Sequence, residues 1–236
     1  MNIESREKNG LRQEEGADYS NVSPAVIRRL PRYFRYLREL IRRDKMRVSS
    51  GELSAMMNVT ASQIRQDLNC FGGFGQQGYG YNVNYLYSKI CGLLGVDAGI
   101  RAIVIGAGDL GRALVRSPMF EKRGVEILSL FDVDEKQIGR VVGGVTVRDM
   151  ADLEKFCSEI PVDMAVLTLP KDRAEEVAAR AVAAGVKGFW NFTGKELSFA
   201  EEDGVTLENV HLGDSLMILN YRLCEKQKKK ESHPLQ

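Results

Sequence analysis

Several features are missing from this chain of 236 residues, and each absence excludes a class of protein. No apolar run approaches the ~18–20 residues that a membrane-spanning helix requires, so we expect no membrane segment. The four cysteines are scattered without a CxxC pair, which favours a reducing cytoplasm over a disulfide framework or a zinc site. Residues 1–22 are polar and lack the apolar core of a signal peptide, and we expect a disordered arm there.

Net charge is also close to zero, but the charges are unevenly distributed. Residues 23–70 contain ten Lys/Arg and four Asp/Glu, whereas the rest of the chain contains 23 and 28. A basic segment joined to an acidic remainder indicates a polyanionic partner for the first part only, with a solvated basic helix face as the alternative. Residues 227–236 are rich in lysine and predict a flexible tail.

The first periodic segment, "SPAVIRRLPRYFRYLRELIRR", predicts a basic helix. Ser23 suits the N-cap position and Pro24 the first helical position. Apolar residues recur at steps of three and four and form one stripe: Ile27, Leu30, Phe34, Leu37 and Ile41. Pro31 interrupts this stripe, so the helix is expected to begin or kink there.

Two short capped helices are predicted next, in a helix-turn-helix arrangement. Ser49 with Glu52 and Thr60 with Gln63 each fit a capping box, and the "NVT" between the helices has the length of the turn. The second helix would expose polar side chains that reach base edges or phosphates of DNA: Ser62, Gln63, Arg65 and Gln66. A three-helix bundle without DNA explains the apolar positions equally well, but the density of arginine favours DNA.

The stretch "CFGGFGQQGYGYNV", residues Cys70–Val83, allows three interpretations: a phosphate-binding loop, a loose linker or a β-hairpin. A phosphate loop follows a strand, whereas this stretch follows a helix. A linker should be free of large apolar groups, and here aromatic residues would instead anchor the base of a hairpin: Phe71, Phe74, Tyr79 and Tyr81. A hairpin after a helix-turn-helix makes a winged helix, with Gln76-Gln77-Gly78 at the tip of the wing.

The segment "GIRAIVIGAGDLGRAL" gives the sharpest signal. A buried strand runs into the GxGxxG sequence of Gly106–Gly111 and then into a helix, which is the context of a dinucleotide-binding loop. The glycines permit a tight turn, the approach of the pyrophosphate and close packing of helix on strand, while the helix N-terminus stabilises the phosphate charge. Asp132 ends the next strand, where its carboxylate would accept hydrogen bonds from a ribose and repel a 2′-phosphate, favouring NAD(H) over NADP(H).

Strands and helices keep alternating after this motif and predict a doubly wound parallel sheet. Ligands bind at the carboxyl ends of such strands, which places four further side chains on the rim of the cofactor site: Thr168, Pro170, Asn191 and Thr193. A final helix carries an apolar stripe that would dock onto a partner subunit or pack back on its own domain: Leu212, Leu216, Leu219 and Leu223.

Function is less constrained than fold at this point. A basic helix-turn-helix joined to a dinucleotide-binding domain favours a regulator whose DNA affinity responds to a dinucleotide. An NAD-dependent oxidoreductase is the alternative, but it needs a substrate domain and a proton donor, and the only histidines are His211 and His233. A third interpretation is a structural module that binds a nucleotide for stability.

Over residues 23–225 the chain resembles the Rex family of bacterial redox-sensing transcriptional repressors. The resemblance rests on several motifs in one order: "RLPRYFRYL", "RVSSGELS", "SQIRQDL" followed by "FGGFGQQGYGYNV", "GAGDLGRAL", "FDVD", "VLTLP" and "FWNF". It implies a winged-helix DNA-binding domain over 23–84, a Rossmann domain over 85–210 and a domain-swapped C-terminal helix over 211–226. It also implies a homodimer that exchanges these helices, and binding to double-stranded operator DNA that weakens when NADH rather than NAD+ occupies the Rossmann domain.

The resemblance implies the site residues as well. Those expected at the dinucleotide are Gly106, Ala107, Gly108, Asp109, Leu110, Gly111, Asp132, Val133, Thr168, Leu169, Pro170 and Asn191. Those expected at the DNA are Arg32, Arg47, Ser49, Thr60, Ser62, Gln63, Arg65, Gln66, Gln76 and Gln77, with Arg65 the strongest candidate. No catalytic residue and no metal site are expected.

On the DNA side, three positions depart from the pattern of the family. Neutral Gln66, Gln76 and Gln77 stand where members commonly carry basic residues. Fewer phosphate contacts predict weaker DNA binding with a flatter salt dependence.

On the cofactor side, Asp109 replaces the usual asparagine, and its carboxylate is unfavourable near a pyrophosphate unless it pairs, for example with Arg112. Ser117 replaces a tyrosine. His211 replaces an acidic residue that in the family communicates with the arginine corresponding to Arg29. These departures leave open the alternative of a family member that binds DNA but has lost its response to NADH.

Overall fold

A computed structural model describes residues 22–71, 75–76, 79–199 and 204–231 of the chain. The chain divides into two compact units, Met1–Leu94 and Gly95–Gln236. The sequence places the end of the DNA-binding domain at residue 84, ten residues before this division.

The first unit combines five helices and three short strands among its described residues. In chain order they are α1 (Pro24–Ile27), α2 (Leu30–Arg42), β1 (Arg47–Val48), α3 (Ser50–Met57), α4 (Ala61–Asn69), β2 (Gly75–Gln76), β3 (Gly80–Asn82) and α5 (Val83–Leu93). The strands form an antiparallel sheet in the order β1-β3-β2, in which Arg47 is opposite Asn82 and Gln76 is opposite Gly80. The predicted helix-turn-helix is therefore α3–α4, and the predicted hairpin is β2–β3.

Capping decides where these helices begin. The Ser23 hydroxyl accepts a hydrogen bond from the Val26 N–H, and the two halves of the Ser49–Glu52 capping box are both present. The second predicted box is incomplete: the Thr60 hydroxyl accepts from the Gln63 N–H, but the Gln63 side chain bonds elsewhere.

The apolar stripe of the first segment is only partly as expected. The chain turns after α1, and Pro31 lies in the first turn of α2, so the predicted break is present. Leu37 is fully buried, but Ile27 is half exposed, while Tyr33 is buried although the stripe does not include it. Because α1 ends before α2 begins, one continuous helical stripe does not describe both.

Helix α5 extends the first unit beyond the winged helix that the sequence predicts. It packs against α2, with the rings of Phe34 and Tyr87 stacked at 5.3 Å between centroids. A sequence signal for it exists, since Asn82 caps the helix and the buried residues recur at helical spacing: Val83, Leu86, Ile90 and Cys91.

The second unit is built on a seven-stranded sheet. Its elements are β4 (Ile100–Ile105), α6 (Asp109–Arg116), β5 (Val125–Asp132), β6 (Val141–Val142), β7 (Val145–Asp149), α7 (Leu153–Glu159), β8 (Met164–Leu167), α8 (Ala174–Ala183), β9 (Gly188–Asn191), β10 (Thr206–Asn209) and α9 (Leu212–Glu231). The strand order is β10-β9-β8-β4-β5-β7-β6, and every pairing is parallel except β6 with β7. The order reverses at β4, so the predicted doubly wound sheet is confirmed.

Alternate residues of the central strands enter two apolar clusters, one on each face of this sheet. Ile103 and Leu167 pack in one cluster with residues of α7 and α8. Val104 and Val166 pack in the other, beside α6. The sheet is thus covered on two faces in its centre, and its ligand edge lies where β4 runs into α6.

Helix α9 leaves its apolar stripe uncovered. The four predicted leucines remain between 50% and 63% exposed: Leu212, Leu216, Leu219 and Leu223. The stripe therefore does not pack back on the described part of its own chain. The helix also continues to Glu231, so residues 227–231 are helical where a flexible tail is expected. Among the described residues, none of the helices is long and apolar enough to cross a membrane.

Candidate DNA-binding and dinucleotide-binding sites

Helix α4 presents the polar face that the sequence predicts. Ile64 and Leu68 are buried on one side, while Ser62, Arg65 and Gln66 are exposed on the other. Nη1 of Arg65 donates a hydrogen bond to Oγ of Ser50 at 3.2 Å, which ties the exposed arginine to the start of α3. These exposed side chains can reach base edges and phosphates of a duplex.

Asp67, also on α4, is a buried carboxylate that the sequence does not single out. Its Oδ2 accepts from Nε of Arg29 at 2.7 Å and from the Tyr33 hydroxyl at 2.9 Å. Its Oδ1 accepts from Nη2 of Arg29 at 2.7 Å and from Nε2 of Gln63 at 2.8 Å. The bidentate Arg29 pair joins α4 to the turn between α1 and α2.

The electrostatics of this cluster favour an ionised Asp67. Burial by itself raises the pKa of the Asp67 carboxyl, but the hydrogen bonds from Arg29, Gln63 and Tyr33 act in the opposite sense, and the pKa of Asp67 is lowered overall. Burial, followed by the hydrogen bond to Asp67, raises the pKa of Tyr33. The hydrogen bond to Asp67 raises the pKa of Arg29, so the ion pair persists across physiological pH.

Two arginines expected at the DNA have structural partners. Nη2 of Arg32 donates to the carbonyl of Met57 and closes the C-terminal end of α3. Nη1 of Arg47 donates to the carbonyl of Tyr79 at 3.2 Å and fastens β1 to the wing. Ser49 is likewise used within its capping box.

The wing agrees with expectation in its backbone and differs in its aromatic residues. Phe71 is buried and Tyr81 half-buried, but Tyr79 is 70% exposed and does not anchor the hairpin. Burial raises the pKa of Tyr81, while the charge of Arg65 on α4 acts in the opposite sense. Gln76 lies in β2, whereas Phe74, Gln77 and Gly78 lie outside the described residues.

In the second unit, each of the three glycines of the GxGxxG sequence has its own geometric role. Gly106 has φ +105°, and a Cβ there would lie 2.7 Å from the Thr168 carbonyl oxygen. A Cβ on Gly111 would overlap the carbonyl oxygen of Gly106 and force α6 away from β4. A Cβ on Gly108 would meet nothing within 4 Å, so this glycine faces open space above the loop.

Charged side chains fix the loop from both ends. Oδ2 of Asp132 accepts from the Ala107 N–H at 2.5 Å, and its Oδ1 accepts from the Asp134 N–H at 2.9 Å. Nη2 of Arg112 lies 2.6 Å from Oδ1 of Asp109, so the carboxylate that departs from the family pattern is paired as expected. Asp132 is thereby held at the carboxyl end of β5 with oxygen lone pairs left for further donors.

A cleft of about 780 Å³ lies at this edge of the sheet. Seven of the expected residues line it: Gly106, Gly108, Asp132, Val133, Thr168, Leu169 and Pro170. Ala107 and Gly111 are buried beneath the loop and shape it, while Asp109 and Leu110 are exposed at the start of α6.

Asn191 lies outside the glycine loop and does not line the cleft either. Its side chain is buried and donates to the Lys195 carbonyl and to Oδ1 of Asn209, each at 2.8 Å. Its Oδ1 accepts from Thr193, through the N–H and the hydroxyl. Asn191 therefore fastens the loop after β9, and neither it nor Thr193 is among the described residues that line the cleft.

The cleft also contains side chains that the sequence reasoning missed. Phe131, Met150 and Val177 form an apolar wall. Two arginines line the mouth and are paired with glutamates: Arg173 with Glu176 at 3.0 Å, and Arg180 with Glu154 at 2.7 Å. Phe131 lies in β5 next to Asp132, whereas Val177 and Arg180 lie in α8 and Arg173 at its N-cap. The acidic starts of α7 and α8 are the sequence signal for the paired arginines.

The two further departures on the cofactor side lie away from this cleft. Nε2 of His211 is 3.1 Å from Oε1 of Glu196, and the Ser117 hydroxyl accepts from the Met119 N–H at 3.4 Å. His233 lies outside the described residues. Within the described ranges, no group of three His, Cys, Asp or Glu side chains is placed to hold a metal ion.

The residues present fit a dinucleotide. The open side of Gly108 at the N-terminus of α6 leaves room for a pyrophosphate against backbone N–H groups. Asp132 offers acceptors for ribose hydroxyls, and the apolar wall suits the face of a base. Arg173 and Arg180 are already paired with glutamates, so they do not neutralise Asp132 and Asp172, which also line the cleft. These two carboxylates would repel the 2′-phosphate of NADP(H).

Both units of the chain match known protein families. Residues 21–69 match the family model of a putative DNA-binding protein N-terminus, and residues 97–194 match that of the CoA binding domain. The redox-sensing transcriptional repressor Rex of Caldicellulosiruptor saccharolyticus is 48% identical over 211 residues, which cover 89% of this chain and 95% of the relative.

Two solved structures of RSP, described as a Rex-family repressor, superpose on the chain with a TM-score of 0.82 each. One is a complex with NAD+ and operator DNA, 49% identical, and the alignment covers 91% of this chain and 99% of that one. The other is a complex with NADH, 46% identical, covering 90% and 99%. The similarity thus extends across both units and over nearly the whole length of each relative.

Proposed function

Because this chain belongs to the Rex family of redox-sensing transcriptional repressors, we propose that it represses transcription by binding operator DNA and leaves that DNA when NADH occupies its second unit. NADH and NAD+ are its cofactors, and the NADH/NAD+ ratio sets how much of the operator is occupied. The chain acts as a DNA-binding regulator and not as an enzyme, in keeping with the repressor names of its relatives.

One observation carries this proposal: a single chain combines an exposed recognition face with a glycine loop shaped for a pyrophosphate. The face on α4 consists of Ser62, Arg65 and Gln66. The loop leaves its free space at Gly108. Neither site alone would distinguish a DNA-binding module from a dehydrogenase, but the two together define a regulator with a dinucleotide effector.

The regulation follows from thermodynamic linkage. If the chain with NADH bound has a lower affinity for operator DNA, then the chain on DNA must have an equally lower affinity for NADH. This coupling requires two conformations, and NADH must bind more tightly to the one that does not bind DNA. A factor of 100 in affinity corresponds to about 2.7 kcal/mol of coupling free energy.

The proposed roles of individual residues follow their geometry. At the DNA, Arg65 contacts a base or phosphate, Ser62 and Gln66 flank it, and Thr60 begins the recognition helix. Neutral Gln76 lies in the wing strand β2, and neutral Gln77 is proposed as a further contact to DNA. At the dinucleotide, Gly108 admits the pyrophosphate, Asp132 accepts from the ribose, and the remaining rim residues complete the cleft: Val133, Thr168, Leu169 and Pro170.

We also propose a homodimer through α9, since the apolar stripe of this helix is exposed on the single chain. A contiguous apolar patch on a protein surface usually marks an interface with another protein. The domain limits become 23–94 for the DNA-binding unit and 95–210 for the Rossmann unit, with α9 as the dimerisation helix. Operator DNA places the protein in the cytoplasm.

A gel-shift titration on a palindromic operator, with and without NADH or NAD+, tests the function. We expect a shifted complex that NADH dissociates at concentrations where NAD+ does not. Absence of DNA binding at modest salt would contradict the repressor assignment. Binding that ignores both nucleotides would identify a member without the switch, and turnover of NADH with a carbonyl substrate would favour an oxidoreductase.

A further inference from the structure

Arg112, in helix α6, joins two loops at the ligand edge of the second unit. Its Nη1 donates hydrogen bonds to the Ala107 carbonyl at 2.9 Å and to Oε1 of Gln137 at 3.2 Å. A terminal nitrogen of a guanidinium group carries two N–H groups, so one nitrogen can serve both acceptors. Arg112 therefore connects the glycine loop after β4 with the loop after β5.

These contacts close a ring of hydrogen bonds that contains Asp132. The Ala107 N–H donates to Oδ2 of Asp132 at 2.5 Å, and the Asp134 N–H donates to Oδ1 of Asp132 at 2.9 Å. The Gln137 N–H donates to the Asp134 carbonyl at 2.8 Å, and the Gln137 side chain leads back to Arg112. Both oxygens of the Asp132 carboxylate are thus held in position, one through each loop.

Arg112 and Gln137 act on the site without lining it. Both are partly buried, and neither is among the described residues that line the cleft. Asp132 does line the cleft, and a carboxylate at the end of this strand accepts hydrogen bonds from a ribose. The direction of that carboxylate decides how well its lone pairs meet the ribose hydroxyls, because a hydrogen bond weakens steeply with misalignment.

We propose that Arg112 is a positioning residue for NADH and NAD+, and that the ring of hydrogen bonds around it aims the Asp132 carboxylate at the ribose of the adenosine half. This ribose is common to the two nucleotides, so Arg112 contributes to the affinity for both and not to the discrimination between them. The inference rests on the proposed function of the second unit in dinucleotide binding.

Two competing explanations have to be separated from this one. Nη2 of Arg112 lies 2.6 Å from Oδ1 of Asp109, so loss of Arg112 also leaves that carboxylate unpaired at the start of α6. Charge repulsion of this kind acts on phosphates and not on adenosine, and it disappears when residue 109 is made neutral. General damage to the fold would weaken related ligands by the same factor. A misaligned Asp132 instead weakens only those ligands that carry the ribose 2′-hydroxyl.

Displacement of NADH from the full-length protein, followed by NADH fluorescence, makes the test with adenosine and 2′-deoxyadenosine as competitors. We expect the wild-type protein to prefer adenosine about tenfold, because the 2′-hydroxyl meets a charged acceptor. Arg112→Met should reduce this preference to about threefold or less by weakening adenosine alone. Adding Asp109→Asn should not restore the preference. Gln137→Leu, which leaves Arg112 paired with Asp109, should reduce the preference as well.

Arg116→Met is the matched control and should keep the preference, since Arg116 lies one turn further along α6 and is exposed. An unchanged preference in Arg112→Met or in Gln137→Leu would overturn the inference, and so would its recovery when Asp109→Asn is added. If Arg112→Met does not fold, Gln137→Leu provides the same comparison. A wild-type protein that binds NADH without preferring adenosine would overturn the inference alone. Failure to bind NADH would contradict the dinucleotide site itself, and the inference with it.

Discussion

The two units of this protein build their sites by opposite means. In the first unit, side chains hold other side chains: Asp67 holds Arg29 and Gln63, and Ser50 holds Arg65. In the second unit, the backbone forms the site, and glycines are present where a Cβ would collide or would fill the space of the ligand. A duplex is contacted at many separate points, whereas one compact ligand can be enclosed by a single loop. The site of the first unit should therefore be disrupted when a side chain is removed, and the site of the second unit when a side-chain atom is added.

Removing a partner should have the largest effect. Asp67→Ala leaves Arg29 without its carboxylate and Tyr33 and Gln63 without an acceptor, and we expect the first unit to lose about 3 kcal/mol of stability. Hydrogen exchange read by mass spectrometry can follow each unit separately, and protection should fall in α2 and α4 while the second unit is unchanged.

A matched control is Glu39→Ala, which removes an exposed ion pair with Arg43 and should cost about 0.5 kcal/mol or less. If both variants lowered protection equally, the buried cluster would not be the determinant that distinguishes the first unit.

Adding an atom should have the next largest effect. Gly111→Ala places a methyl group against the carbonyl oxygen of Gly106, and we expect the second unit to lose about 2–3 kcal/mol of stability. Fluorescence of Trp190, the one tryptophan of the chain, reports unfolding of this unit specifically.

Gly108→Ala is the informative companion, because its Cβ meets no neighbour. It should fold normally and yet bind NADH at least about tenfold more weakly, since the methyl group occupies the approach of the pyrophosphate. Normal NADH affinity in Gly108→Ala would contradict the role assigned to the loop.

A smaller effect is expected at the exposed face of α4. Arg65→Ala should weaken operator binding by about 1–3 kcal/mol and leave NADH affinity unchanged, as measured by gel shift and by nucleotide titration. Arg32→Ala should instead reduce stability, because Arg32 caps the carbonyl of Met57. Parallel loss of DNA and NADH binding in Arg65→Ala would indicate unfolding.

At neutral pH the smallest effect is that of protonation, which becomes visible only in acid. The folded pKa of Asp67 lies below its value in the unfolded chain, about 3.9, so its contribution to stability is complete above that pH and is lost as pH falls through the folded pKa. Thermal unfolding followed by circular dichroism from about pH 5 down to about pH 2 should show this fall, because the loss begins near the unfolded pKa and grows below it. Asp67→Asn should flatten it, and equal slopes for the two proteins would contradict the assignment.

The parts of this protein that the sequence predicts well are those fixed by the backbone. The run from β4 through Gly106 to Gly111 predicts a strand, a turn and a helix, because Gly106 and Gly111 each meet a local steric requirement of the backbone. The Ser49–Glu52 box is predictable for the same reason, since its two hydrogen bonds span three residues. Helix α5 was predictable from its own spacing but follows the glycine-rich wing too closely to be distinguished from it.

Side-chain tethers were not predictable, because their partners are remote in sequence. Asp67 lies among polar residues in the sequence of α4, where an exposed side chain is expected, yet it is bonded to Arg29, 38 residues away. The spacing of apolar residues around Asp67 therefore does not predict its burial. Arg32 contributes to the count of basic residues as if it were free, although it closes α3. Asn191 lies at the expected end of β9, but its side chain turns inward to its own loop.

The uncovered stripe of α9 has a consequence for gene dosage. If two copies must meet to bury it, the active repressor forms by mass action, and in dilute protein its amount rises with the square of the number of chains. Halving synthesis would then lower operator occupancy more than twofold while most of the protein is monomeric. The threshold at which the regulated genes respond is therefore set by the abundance of the protein as well as by the nucleotide that it senses.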